Sequence, residues 1–100
     1  MIRHVVVISW KPEATAEQKQ QVSIDLAKLP GLMQELTGSR AYVFGSDLGV
    51  TETNADFAIV ADFDDVDSYI AYRDHPAHVE VVKRSIAPIA DRRMAVQFEL

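Results

Sequence analysis

Two short segments of the sequence, Val5–Ile8 and Ala58–Ala61, are apolar at every position. A strand with one face in water alternates apolar and polar residues, whereas a strand that is buried on both faces is apolar throughout. We therefore expect both segments to be central strands of one sheet, with a covering layer on each side. This requirement limits the fold more than any other feature of the sequence.

Turn and capping signals place the first half of the chain. The first strand is predicted at Ile2–Trp10, where β-branched residues dominate and a proline follows shortly. A helix begins at Thr15, because Gln18 completes a capping box, and the Pro30-Gly31 pair is expected to end it. The next strand is predicted at Arg40–Gly45, and a polar loop from Ser46 to Asp56 follows it.

The second half gives one more strand, two helical segments and a last strand. A strand is predicted at Phe57–Phe63, and Asp64 or Asp65 then caps a helix that ends near Asp74. Pro76 suits the first turn of the next helical segment. Apolar and polar residues alternate over Met94–Leu100, which predicts the final strand.

The resulting order, βαββαβ, is the ferredoxin-like α+β arrangement with a four-stranded antiparallel sheet, and it occupies residues 1–100 as a single domain. Helices in this arrangement cover only one face of the sheet. Since the two central strands are apolar on both faces, a second copy of the sheet is the simplest cover for the open face. The pattern thus predicts a homodimer that is joined through the open face.

Composition excludes several classes of function. Ten basic and fifteen acidic residues give a net charge of −5, which disfavours binding to nucleic acid. The chain has no cysteine, so thiolate zinc sites, iron–sulfur clusters and cysteine nucleophiles are excluded. No apolar run approaches the length of about 18 residues that spans a bilayer, so no membrane partner is expected. We expect a small, soluble, cytoplasmic protein.

The segment His75-Pro76-Ala77-His78 is the strongest candidate for chemistry. His78 directly precedes Val79 on the predicted apolar stripe of the last helical segment, so it borders the core. A histidine in such a place can have its pKa tuned and act as a general base. The alternative is structural: His75 caps the helix and His78 forms a hydrogen bond with a backbone carbonyl.

His4 has the same strand parity as Ile2, Val6 and Ile8, so it is expected to face the helices. There it can converge with His78 and one of two tyrosines. The candidate tyrosines are Tyr69 and Tyr72. The alternative is a core histidine whose hydrogen bonds are satisfied and which has no chemical function.

Two further sets of residues are weaker candidates. Three histidines suffice for a catalytic zinc ion, but the spacing of this set does not make its members converge, so no metal is expected; they are His4, His75 and His78. Four basic residues are interpreted as solvated surface rather than as a gate for an anionic substrate; they are Lys83, Arg84, Arg92 and Arg93.

Several segments together resemble the stress-responsive A/B barrel (Dabb) family. They are the opening residues Ile2–Val6, the strand segment Asp56–Val60 and, above all, the motif His75–His78. The resemblance covers essentially the whole chain, and it implies a dimeric α+β barrel. Ala55 departs from the family pattern, which often has an aromatic residue before the aspartate of this strand.

A plant branch of that family, which the motif resembles, comprises polyketide cyclases that work without a cofactor. The resemblance implies that His78 is the catalytic base and that Tyr72, six residues earlier, assists it, with His4 nearby. Tyr69 and Val82 are the other residues expected to contact a substrate.

The predicted function is cofactor-independent acid–base chemistry on a small ketide-like carbonyl compound. A non-catalytic stress-response protein or a dimer that binds a small apolar ligand is the alternative. A cofactor-free monooxygenase is a weaker alternative, because it relies on analogy of fold alone. Whether the protein is an enzyme stays open at this point.

Overall fold

A computed structural model of the chain describes residues 1–33, 36 and 41–100. Its strands are β1 (Ile2–Trp10), β2 (Tyr42–Ser46), β3 (Phe57–Phe63) and β4 (Ala90–Glu99). Its helices are α1 (Ala16–Leu32), α2 (Val66–Asp74) and α3 (Pro76–Val81), and a π-helical segment, Val82–Ile86, continues α3. No helix in these described ranges has both the length and the apolar character that crossing a membrane requires.

The strands form one four-stranded antiparallel sheet in the order β2-β3-β1-β4, so the predicted ferredoxin-like α+β fold is confirmed. The two strands that are apolar at both parities, β1 and β3, lie in the centre, as predicted. In this register His4 lies opposite Ala61 on one side and opposite Gln97 on the other. The sheet therefore places a β4 side chain directly beside His4.

The helices cover the face of the sheet that carries the even-numbered residues of β1, and the hydrophobic core lies between these two layers. Val22, Leu26 and Leu29 of α1 are almost completely buried there, at the spacing predicted from the sequence. The predicted capping box of α1 is also present, with Thr15 and Gln18 each bonding to the backbone of the other.

The sequence predicted that helix α1 ends at Pro30-Gly31, but the helix continues to Leu32. Pro30 has no N–H to donate to the carbonyl of Leu26 one turn earlier, and an unsatisfied buried carbonyl would be costly. The hydroxyl of Tyr42 donates a 2.8 Å hydrogen bond to this carbonyl instead. A side chain from β2 thus compensates for the proline, and the helix can add its last residues.

Three other predicted boundaries were also inexact. Strand β2 is described from Tyr42 onward and includes Ser46, whereas Arg40, the predicted start, lies outside the described residues. Strand β4 begins at Ala90, four residues before the predicted Met94, and ends at Glu99. Arg93 and Arg92 pair with Ile8 and Ser9 of β1, and the register then shifts at Asp91, so that Trp10 lies opposite Ala90. An edge strand can carry such charged side chains in water.

The last helical segment is not one regular helix. The amide of Ala87 donates to the carbonyl of Val82, five residues earlier, so the chain widens into a π-helical turn after α3. This irregular turn still directs Ile86 and Ser85 inward, where both are buried. Single π-helical turns occur frequently at functional sites.

The opposite face of the sheet, which the helices do not cover, is called the open face below. Its apolar side chains belong to all four strands, and many are strongly exposed: Val7, Val43, Met94, Val96 and Phe98 are between 36% and 59% exposed. A polar pair also lies on this face, since Arg3 binds both carboxylate oxygens of Asp62 at 2.8 and 2.9 Å. The open face is therefore largely apolar.

Candidate functional site

A cavity of about 250 Å³ lies between the covered face of the sheet and the helices. All five candidate residues from the sequence line it: His4, Tyr69, Tyr72, His78 and Val82. Most of the remaining wall is aliphatic: Val6, Ile8, Leu26, Ile59, Ile86 and Ala95. Met94 of the edge strand, which pairs with Val7 of the open face, also borders the cavity. The structure therefore brings residues from β1, α2, α3 and the π-helical segment to one place.

His78 is positioned by the helix start that the motif creates. His75 accepts a 3.0 Å hydrogen bond from the amide of Ala77 and caps α3, and Pro76 occupies its first turn. One turn later, the Nδ1 atom of His78 lies 3.0 Å from the carbonyl oxygen of Arg73. Because a carbonyl only accepts, Nδ1 carries the proton, and the neutral ring has its lone pair on Nε2.

The environment of His78 favours its neutral form. Burial lowers its pKa below the usual 6.5, although the Arg73 carbonyl and the carboxylate of Asp74 act in the opposite direction. The imidazole is therefore predominantly neutral at pH 7. A neutral imidazole with a free Nε2 is the form that can accept a proton from a substrate.

Tyr72 packs directly against His78, with a distance of 4.3 Å between ring centroids. Its side chain is only 2% exposed, yet its hydroxyl has no hydrogen-bond partner within the described part of the chain. Burial, followed by the neighbouring Tyr69, raises the pKa of the hydroxyl, which stays protonated. A buried donor of this kind is available to an oxygen atom of a ligand.

His4 forms the floor of the cavity, as its strand parity predicted. It is 6% exposed, and its ring centroid lies 4.9 Å from that of Tyr69 and 6.0 Å from that of Tyr72. The side-chain amide of Gln97 donates to Nδ1 of His4 at 2.9 Å. Burial and, to a lesser extent, the charge of His78 lower the pKa of His4 to about 4.

His75 does not join the other two histidines, because its ring nitrogen caps α3. The structural interpretation of His75 is thus confirmed, whereas His78 combines both alternatives: it bonds to a backbone carbonyl and it borders the cavity. Within residues 1–33, 36 and 41–100, no group of three or more histidine or acidic side chains is arranged to hold a metal ion.

The sequence did not point to the contribution of β4. Gln97 holds His4, Ala95 lines the cavity, and Arg93 lines it too, although the sequence suggested only solvated surface for this arginine. The alternation of β4 held the relevant signal: its more polar set of alternate residues, which includes Arg93 and Gln97, lies on the same face as His4. This placement can be recognised only when the register between β1 and β4 is known.

The arrangement combines a neutral base, a protonated phenol and apolar walls. Proton abstraction next to a carbonyl needs such a base, and the resulting enolate oxygen needs a hydrogen-bond donor. Apolar walls strengthen both interactions, because they exclude water.

Comparisons with known proteins agree with the fold. A dimeric ferredoxin-like protein of unknown function from Thermobifida fusca is 44% identical, with a TM-score of 0.88 over 99% of this chain and 90% of that chain. A dimeric ferredoxin-like protein of unknown function from Bacteroides fragilis is 23% identical, with a TM-score of 0.78 over 99% and 95%. The hydroxynitrile lyase from Passiflora edulis is 19% identical, with a TM-score of 0.83 over 99% and 92%.

The last two similarities, at under 25% identity, support the fold alone. None of the curated proteins matches the sequence. The family model described as Stress responsive A/B Barrel Domain, in contrast, matches residues 2–100 of the sequence. The sequence motif, the fold and this match agree, and the chain belongs to the stress-responsive A/B barrel (Dabb) family.

Proposed function

We propose that the cavity is the active site of an enzyme that performs acid–base chemistry on a small carbonyl compound without a cofactor. The observation that carries this proposal is the contact between His78 and Tyr72 inside an apolar cavity. Nε2 of His78 is free to accept a proton, and the buried hydroxyl of Tyr72 has no partner among the described residues. The volume is below the roughly 300–1,000 Å³ of typical ligand pockets, which favours a small substrate.

In the proposed reaction, Nε2 of His78 removes a proton from the carbon between two carbonyl groups. The electron pair of the broken C–H bond moves onto a carbonyl oxygen and gives an enolate. Tyr72 donates a hydrogen bond to this oxygen, and His78, now protonated, can return its proton to the product. His4, Tyr69 and Val82 contact the substrate and hold it against the base.

The hydrogen bond between His78 and Arg73 supports this assignment of roles. It fixes the tautomer and the ring plane without using Nε2. The fold is also compatible with enzymatic activity, since one protein of the same fold is a hydroxynitrile lyase.

The exchange of hydrogen for deuterium at the central carbon of pentane-2,4-dione, followed by NMR in D₂O, tests the proposal. The wild-type protein is expected to accelerate this exchange. Replacement of the base, His78→Ala, should lower the catalysed rate by about 10²–10⁴-fold, the usual contribution of a general base. Tyr72→Phe removes only the donor and should lower the rate less.

His75→Asn is the matched control, because it changes the other histidine of the motif and keeps a residue that can cap α3. This variant should retain the wild-type rate. If His78→Ala and His75→Asn behave alike, or if the wild-type protein does not accelerate exchange, His78 is not a base. A protein that binds small ligands without catalysis would then be the better description.

We also propose that the protein is a homodimer joined through the open face. The exposed apolar side chains of this face support the proposal, because water contact with so many of them is unfavourable. Two similar proteins of ferredoxin-like fold are described as dimeric, which agrees with it.

Light scattering after size-exclusion chromatography tests the dimer. The wild-type protein should elute at twice the mass of the chain, and Val96→Asp, which places a charge on the open face, should elute as a monomer. Val66→Asp is the control, since Val66 is similarly exposed, at 57% against 54% for Val96, but lies on α2. A monomeric wild-type protein would contradict the proposal.

A further inference from the structure

Arg93 is unlike the other residues of the cavity wall. It lies on β4 opposite Ile8 of β1, on the covered face of the sheet, and its side chain is exposed while it lines the cavity. It is therefore placed where the cavity opens to solvent. Among the described residues of the cavity wall none is acidic, so none of them neutralises the guanidinium.

No described residue forms an ion pair or a hydrogen bond with the guanidinium of Arg93. Three other arginines pair with a carboxylate, namely Arg3, Arg73 and Arg84, whereas Arg92 on the open face, like Arg93, has no ion pair among the described residues. Acidic residues outnumber basic ones in this chain, so an unpaired arginine at the cavity is not a consequence of excess positive charge.

We infer that the cavity takes carbonyl compounds that carry a carboxylate, and that Arg93 binds this carboxylate at the opening. The inference rests on the proposed function for the chemistry at His78 and adds the charge of the substrate. Arginine suits the task because its planar guanidinium can bind both oxygens of a carboxylate.

The positions of Arg93 and Gln97 on β4 also indicate how far apart the two polar ends of a substrate lie. Arg93 and Gln97, which holds His4, are four residues apart on β4, which corresponds to about 13 Å between their Cα atoms. A ligand that contacts both regions therefore needs several bonds between its carboxylate at one end and the reacting carbonyl towards the histidines. A keto acid with several carbons between the two groups fits this description.

Binding of 6-oxoheptanoate and of its uncharged methyl ester, measured by NMR titration of the ¹⁵N-labelled protein, tests the inference without any need for turnover. The wild-type protein should bind the acid about five to ten times more tightly than the ester. Arg93→Gln should abolish this preference and leave the affinity for the ester nearly unchanged. The preference of the wild-type protein should also shrink at high salt, because the charge contact is near solvent.

Arg92→Gln is the matched control, because Arg92 precedes Arg93 on β4 and pairs with Ser9 on the open face. It should keep the preference for the acid. Equal binding of acid and ester by the wild-type protein, failure of both to bind, or equal effects of the two variants would overturn the inference. The salt dependence gives the same answer on the unaltered protein if Arg93→Gln does not fold.

The two proposals can fail separately. Pentane-2,4-dione has no carboxylate, so its exchange tests His78 alone. If exchange is catalysed but acid and ester bind equally, only the inference about Arg93 is wrong. If the acid is preferred but exchange is not catalysed, the cavity binds carboxylates and the catalytic proposal is wrong.

Discussion

The two faces of the sheet differ in a way that residue burial alone would not predict. On the covered face, β1 presents His4 beside Val6 and Ile8, so a titratable group lies in the layer that excludes water. On the open face, the same strand presents Val5 and Val7, and apolar groups lie in the layer that water can reach. The covered face thus buries a titratable group among apolar ones, and the open face exposes apolar groups to water.

This difference between the faces separates two properties of the molecule. A buried histidine loses hydration, and its neutral form, the one needed for a base, is favoured by that loss. An exposed apolar sheet face gains free energy when a second surface covers it. The covered face is therefore suited to chemistry on a ligand, and the open face is suited to association.

The largest expected effect comes from truncating neighbouring residues of β1 on opposite faces. Ile8→Ala should lower the free energy of unfolding by about 2–5 kcal/mol, because Ile8 is 1% exposed and its removal leaves a hole in the core. Val7→Ala should cost at most about 1 kcal/mol in the isolated chain, since Val7 is 36% exposed. Urea denaturation measures both.

Protein concentration sharpens that comparison. The effect of Ile8→Ala should be the same at low and high concentration, whereas the effect of Val7→Ala should grow with concentration because its contacts form in the dimer. Equal losses in the two variants at every concentration would show that the two faces do not differ as described.

The pH dependence of stability tests the unusual histidine of the covered face. The pKa of His4 is about 4 in the folded protein and near 6.5 when unfolded, so the unfolded chain binds the extra proton more readily. The contribution of neutral His4 is fully present above pH 6.5 and is lost as the pH falls towards 4. The expected loss of stability is roughly 1–3 kcal/mol.

Denaturation of the wild-type protein and of His4→Gln at pH 7.5 and 4.5 measures this contribution, because carboxylates titrate equally in both. The difference in stability between the two proteins should move in favour of the variant at the lower pH. A difference that does not change with pH would mean that His4 is not held neutral by burial.

The smallest effect is expected for the polar pair of the open face. Arg3 is 37% exposed and binds both oxygens of Asp62, which lowers the pKa of this carboxyl. Asp62 itself is only 4% exposed, but Arg3 keeps contact with water, so a double-mutant cycle with Arg3→Gln and Asp62→Asn should give a coupling energy well below the loss expected for Ile8→Ala. A coupling energy as large as that loss would show that Arg3 is already shielded from water in the single chain.

The sequence predicted the fold well because the signals were local. The capping box at Thr15 and the continuous apolar runs of β1 and β3 report directly on a helix start and on central strands. The predicted end of α1 was wrong because the hydroxyl that replaces the missing N–H of Pro30 belongs to Tyr42, which lies on β2. Such compensation depends on tertiary packing, which no local pattern contains.

The residues of the candidate site also fall into those that the sequence identified and those that depend on tertiary structure. His4, Tyr69, Tyr72, His78 and Val82 were identified from strand parity, helical spacing and family resemblance, and the structure brings all of them to one cavity. Gln97 was missed and Arg93 was interpreted as solvated surface, since their positions beside β1 depend on the register of an antiparallel pair. The catalytic and binding roles of all these residues stay predictions.

The central claim is that His78 is a neutral base with a free Nε2, and a measurement of its tautomer and charge tests this claim most directly. ¹⁵N NMR of the histidine rings at pH 7 should show His78 neutral, with its proton on Nδ1 and a lone pair on Nε2. The pKa obtained from the same signals should lie below 6.5. A His78 ring that is charged at pH 7, or that carries its proton on Nε2, could not accept a proton from a substrate and would contradict the account.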